Sequence, residues 1–338
     1  MVGDQKMQKL NWYRTPMDRD TLAALNQRSD WKGVRQTLGH LGLLVLTGSA
    51  AWYAAGRLGW LALLLILFVH GTIYAFLLNG FHELCHSTVF KTKALNTFFL
   101  YLFSFLGQYN PVLFWASHQE HHKYTLHPPD DLEVVLPVEL TLESFLKSAV
   151  VNPWGFYGRL KGLIRLSRGR LEGEWEQILF PVTEPTKSQR LFSWARILLV
   201  GHALIIGVSG YFGFWLLPVL ITFAPFYGGW LLFLCNNTQH VGLQDNVPDF
   251  RLCTRTIILN PVVQFLYWHM NFHTEHHMYA AVPCYHLEKL HQVIEHDLPP
   301  CPVGLYATWQ VIMPILQKQK VDPTYQYVPK LPAHAMNG

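Results

Sequence analysis

Residues 59–86 read GWLALLLILFVHGTIYAFLLNGFHELCH. The stretch opens on an apolar run long enough to cross a bilayer, which takes about 20 residues. It closes on His82 and His86, two imidazoles one helical turn apart and therefore on one helix face. A membrane helix that carries paired metal-binding side chains to its end is the frame from which the rest of the chain is read.

Working outward, Thr37–Gly56 is a second apolar run, joined to Gly59–Gly80 by the turn Arg57–Leu58. Further on, Leu191–Ser209 and Gly213–Leu234 form another such pair, joined by Gly210–Tyr211–Phe212. The pattern predicts an all-α integral membrane protein with four transmembrane helices in two hairpins. A cytosolic helical cap would hold the metal centre, in a single domain over residues 1–338. Arg57 is the only Lys or Arg in either short turn, so the positive-inside rule puts both turns away from the cytosol and both termini, with the histidines, on the cytosolic side. The interrupted run Thr97–Leu106 reads as a re-entrant or interfacial helix. Leu142–Leu171 mixes Trp154, Phe156 and Tyr157 with Arg159, Lys161, Arg165, Arg168 and Arg170, as in a helix lying on a membrane surface.

Composition agrees. Half of the 338 residues are hydrophobic and only 14% are charged, against about 25% in soluble domains. The net charge of +4 suits anionic headgroups, and no dense basic stripe points to nucleic acid. The five cysteines, Cys85, Cys235, Cys253, Cys284 and Cys301, make no CxxC pair. They read as reduced thiols facing the cytosol. Charges from Asp4 and Lys6 to Lys32 and Arg35 argue against a cleaved signal segment.

Eighteen histidines are the anomaly. His82 and His86 form the first cluster. His118, His121 and His122 form the second, on a helix that Asn110 and Pro111 would start as N-cap and first residue. His273, His276 and His277 form the third, and His240 is a satellite one turn after Asn236. A lone histidine in a membrane protein is ordinarily a hydrogen-bonded packing residue, but two HxxHH pentads in one chain are not explained that way. The nine imidazoles are too many for one ion and suit two. Imidazole accepts Fe, Zn, Cu and Ni alike, so ligand type leaves the metal open; the count and the lack of thiolate favour a redox pair with room for oxygen.

Metal-bound imidazoles normally donate their other N–H to a carboxylate or carbonyl. Glu83, Glu120, Asp130, Asp131, Glu133 and Glu275 are placed to accept it, with Glu133 expected as a solvated loop charge. Glu83, Asp131 and Asn236 are the expected catalytic supports, Asn236 binding metal directly or through water. His70 and His202 fall inside spans and are expected as neutral packing residues. His40 stands apart, and His269, one turn before His273, is a weaker candidate for contact with the cluster. Trp115, Tyr109 and Trp268 are candidate walls of a substrate tunnel.

These residues resemble the membrane fatty acid desaturase/hydroxylase superfamily. The resemblance rests on the two hairpins, the three histidine boxes in order and the Asn236–His240 satellite between the second and third. The flanks FHELCHSTVF (81–90), FHTEHHMYAAVP (272–283) and LEKLH (287–291) are similar to the first and third boxes of acyl-lipid desaturases. The resemblance implies a non-haem di-iron centre, molecular oxygen, external electrons and a buried acyl or isoprenoid substrate. It implies desaturation or hydroxylation of a lipid acyl chain, with a hydroxylase or ketolase of a carotenoid or other small hydrophobic molecule as the alternative. Three departures narrow it. The first box has three residues between its histidines, unlike acyl-CoA Δ9 desaturases; the third begins with His273, unlike the Gln of front-end desaturases; and no fused cytochrome b5 motif is present. A separate ferredoxin, cytochrome b5 or reductase would therefore supply electrons. Two rivals come from HExxH at His82–His86, a zinc peptidase site or a divalent-metal transporter. The peptidase would need an acidic residue in a later span, and neither the third nor the fourth contains one.

Overall fold

The computed structural model describes residues 10–333. Asp4, Lys6 and the two chain ends, whose side of the membrane the charge pattern assigns, lie outside them. Among the described residues the chain is helical, with four isolated β-bridges and no strand.

Three helices among the described residues are long and apolar enough to cross a membrane: Asp30–Arg57, Trp60–Cys85 and Pro185–Phe212. Ser29 caps the first by accepting from the Lys32 N–H. The second turns once at Phe76 and resumes as Leu77–Cys85, the helix that carries the first histidine box. Its 26 residues rise ~39 Å, more than the ~30 Å of a hydrocarbon core. The box is thus delivered past the end opposite the hairpin tip. Apolar side chains face outward along these helices: Val45, Leu46, Leu61, Leu64 and Leu65 are exposed on the first hairpin, Val200 and Leu204 on the third span. Aromatic side chains mark one end of these helices, with Trp52 near the end of Asp30–Arg57 5.9 Å from Phe214, just past Pro185–Phe212.

The expected fourth span does not form as one helix. Residues 213–234 break into Leu216–Leu220, the short turn Ala224–Phe226 and Trp230–Asn236. Pro218 and Pro225 withhold backbone donors, and Gly228 turns the chain at φ +69°, where an added Cβ would lie 2.7 Å from the Phe68 carbonyl oxygen. Breaking a helix in an apolar setting frees carbonyls that must find other donors. Four consecutive ones do. The Val219 oxygen accepts from Tyr227 Oη at 3.0 Å, Leu220 from His70 Nε2 at 3.0 Å, Ile221 from Tyr74 Oη at 3.1 Å and Thr222 from Gln108 Nε2 at 2.7 Å. The intramembrane histidine His70 is thereby a cap for a broken neighbour. His202 donates from Nε2 to the Phe105 oxygen, and His40 donates to the Ile73 oxygen while accepting from Trp268 Nε1.

The interrupted run 97–106 lies in Lys93–Gly107, a helix of ~22 Å that packs on the box-one helix and ends at Gln108 in the left-handed region. The expected surface helix 142–171 is two helices, Leu142–Ala149 and Pro153–Ser167, parted where Asn152 caps the second by accepting from the Gly155 N–H.

Candidate metal centre

Each histidine box sits where a short helix begins or ends. The second lies on Pro111–Tyr124, whose N-cap Asn110 accepts from the Val112 and Leu113 N–H groups as its sequence predicts. The Asn110 amide also donates to the Leu191 oxygen, tying this helix to the third span. The third box occupies His273–Met278, and His240 follows Trp230–Asn236 in a turn.

All nine histidines converge, in two adjoining groups. His82, His86, His118, His122 and His276 form one, their ligand atoms all within 4.8 Å of one another; His121, His240 and His277 form the second. His273 joins the second, its Nε2 2.9 Å from that of His240 and 3.2 Å from that of His277. The HxxHH pentads do not keep their three imidazoles on one face. Each gives its i,i+4 pair to one group and its remaining histidine to the other, because neighbouring residues on a helix diverge by ~100°. His122 and His277 stack across the seam with ring centroids 4.4 Å apart.

The spacing within the groups has a physical meaning. His118 Nε2 lies 2.8 Å from His82 Nε2, 3.1 Å from His86 Nε2 and 3.0 Å from His122 Nε2. Donors held ~2.1 Å from one metal at right angles are ~3.0 Å from each other. The tautomers point the same way. His82 Nδ1 is 3.0 Å from Glu83 Oε1 and His118 Nδ1 is 2.8 Å from Glu133 Oε1, so both donate there and neither neutral ring has a hydrogen left on Nε2. Two bare lone pairs then face each other, an arrangement that a shared cation turns from repulsive to favourable. In the second group His121 donates to Asp131 at 2.8 Å, His240 to the Cys253 oxygen at 2.9 Å and His277 to Thr125 Oγ1 at 3.2 Å.

Burial keeps most of these rings neutral. It holds His118, His122, His273, His276 and His277 well below the ordinary histidine range, with neighbouring imidazoles adding to the effect. His240 is brought down to about 3, again chiefly by burial. His121 goes the other way: burial lowers it, but the hydrogen bond and charge of Asp131, with the charge of Glu133, outweigh that. Neutral imidazoles with free lone pairs are the form in which histidine binds metal.

A family model for fatty acid desaturases matches residues 58–309, a segment that includes all nine histidines. The chain belongs to the fatty acid desaturase family. No curated protein compared with it matches. Membership in the desaturases carries membrane insertion, a lipid substrate and use of O2.

Around these histidines, the carboxylates divide differently from expectation. Glu83 is fully buried, with Oε1 on His82 and Oε2 without a partner. Asp131, also fully buried, serves His121 and accepts from the Leu126 and Glu133 N–H groups. Glu133, expected in solvent, instead holds His118, with Ser117 donating to its other oxygen at 2.7 Å. The loop after the second box folds back over its own helix, which a linear reading does not reveal. Glu120 pairs with Lys123 on the surface, and Asp130 takes none of the nine imidazoles. Glu275, although inside the third box, is fully buried and turns away from the cluster to His291 and Thr256. Asn236 Oδ1 is buried and lacks a hydrogen-bond partner. His269, one turn before the third box, makes no ring contact with the cluster among the described residues.

Among the aromatic residues, Trp115 stands edge-on to His86 at 5.3 Å and lines a cavity of about 700 Å³. Trp268 is core, packed on Phe103, and Tyr109 stacks on Phe81. Sequence reading misses Thr125 and the Cys253 carbonyl. Both lie outside the boxes, and the one available signal is proximity in sequence, Thr125 following the second box by three residues.

Proposed function

We propose that this protein holds two iron ions, one in each histidine group, and uses O2 and external electrons to desaturate or hydroxylate a lipid acyl chain. The observation that carries the reading is the division of nine mostly neutral imidazoles into two adjoining sets with metal-type nitrogen spacing. Five donors in the first set exceed the four that zinc ordinarily takes, which favours iron and weighs against a peptidase site. Bound iron would supply oxygen activation. His82, His86, His118, His122 and His276 would hold one ion, and His121, His240, His273 and His277 the other, with Asn236 beside the second.

The chain's own residues do the rest. Glu83, Glu133 and Asp131 fix the ring orientations and tautomers of His82, His118 and His121. The cavity beside Trp115 has an apolar lining that includes Leu100 and Val112, together with Lys187 and Arg190, which suits a chain with a polar head. Its volume is within the range of small-molecule sites. Trp115, between cavity and His86, would set which methylene lies nearest the metals; small shifts in that placement would decide between alkene and alcohol. Arg57 as the one cation of the tips supports a cytosolic centre.

Metal analysis of detergent-purified protein, with Mössbauer spectra, tests the reading. The expected result is about two coupled irons per chain, and a lipid comparison of expressing and control cells then identifies the product. One zinc and no iron, in protein made with iron available, overturns it.

A further inference from the structure

Forming a double bond takes two electrons from the substrate, while reduction of O2 to water takes four. The remaining two must come from outside, through the protein. On the proposed reading of the centre, we infer that they enter through Trp12 and Phe250. The indole of Trp12, half-buried at the surface, stacks on Phe250 with centroids 4.1 Å apart and planes 6° apart. Phe250 is fully buried and lies 5.5 Å from the His277 ring. A second contact reaches the helix of the second box: Trp12 Nε1 donates to the Lys123 oxygen at 2.7 Å, one residue past His122. His277 in turn stacks on His122 across the seam, so the ring contact of Phe250 arrives at the boundary between the two groups.

The segment that presents Trp12 has no helix of its own and is nevertheless fixed. Tyr13 N–H donates to the Pro248 oxygen at 2.9 Å, and Tyr13 Oη and Thr15 Oγ1 both donate to Asp297 Oδ2. Asp297 is held in turn by buried Arg251 at 2.6 Å, whose guanidinium lies 3.7 Å over the Tyr13 ring. This network holds a surface indole in register with Phe250. The partner is a one-electron carrier protein, of iron–sulfur or haem type. In each transfer the carrier loses one electron and the metal centre gains one; no bond in either ring forms or breaks.

The test is anaerobic stopped-flow reduction of the oxidised, iron-loaded enzyme by reduced [2Fe–2S] ferredoxin, by reduced cytochrome b5 and by dithionite, with iron content measured on each variant. Trp12→Leu is expected to lower the limiting rate with the better protein donor about tenfold or more, a barrier change of about 1.4 kcal/mol. Dithionite reduction and iron content stay unchanged, and Trp12→Phe, which keeps a stacked ring, recovers most of the rate. Wild-type reduction by the carrier in Trp12→Leu overturns the proposal. Equal slowing with dithionite, or lost iron, assigns Trp12 a structural role and also overturns it. A wild type that dithionite reduces and neither carrier does counts against it equally, whereas a wild type without redox metal overturns the di-iron reading instead.

Discussion

The same side chain does opposite work in the membrane stem and in the centre above it. In the stem, His40, His70 and His202 each donate from Nε2 to a backbone oxygen, at Ile73, Leu220 and Phe105. In the centre, His82, His118, His240 and His277 donate from Nδ1 to a carboxylate, a carbonyl or a hydroxyl, which leaves Nε2 bare and pointing at other imidazoles. The tautomer, set by what lies behind the ring, separates a histidine that closes a gap in the backbone from one that offers a lone pair. That distinction is testable, because the two kinds should fail in different ways.

The largest effect belongs to His118, whose Nε2 lies within hydrogen-bond distance of three others. His118→Ala should abolish product formation and lower bound iron, while the protein still inserts and purifies. Product assay and elemental analysis on the same preparation check it. Full activity with normal iron would erase the contrast between stem and centre.

The carboxylates behind the rings come next. Removal of such a partner typically costs about 10–100-fold in metal affinity or activity. Asp131→Asn should fall at the severe end, since Asp131 is fully buried and serves two backbone N–H groups besides His121. Glu133→Gln should fall at the mild end, about tenfold, because its side chain retains 22% exposure and a water can substitute. Iron-binding isotherms for the two variants give the order; the reverse order would mean that burial does not rank these partners.

How much of this is legible in the sequence follows from what each feature depends on. The nine histidines, the Asn110 cap and three of the spans depend on local spacing, and local spacing is visible in a linear chain. Hydropathy misreads the fourth span because Gly213–Leu234 is apolar throughout, whereas Pro218, Pro225 and Gly228 decide its backbone. Glu133 is misplaced by a linear reading because the loop that returns it to His118 has no periodicity. The split of each pentad is available in principle: His121 and His122 are adjacent, so one helix turns them toward different places. Glu275 shows the converse limit, since membership of a histidine box does not make it a partner of the box.

The smallest predicted effect sharpens the comparison from the stem side. His70→Leu keeps apolar volume near the site but removes the donor to the Leu220 oxygen and leaves Thr47 Oγ1 without its ring partner. An unsatisfied buried carbonyl costs about 1–3 kcal/mol, which should appear as a melting point lowered by a few degrees in detergent. Iron content and product formation per folded molecule should stay at the wild-type level, because His70 offers no lone pair to the centre. Loss of iron in this variant, with the melting point unmoved, would place His70 among the ligand-supporting residues. Its tautomer would then no longer distinguish a cap from a ligand. A lowered melting point with iron retained would mean that the broken fourth segment, rather than the metals, is what this membrane histidine holds in place.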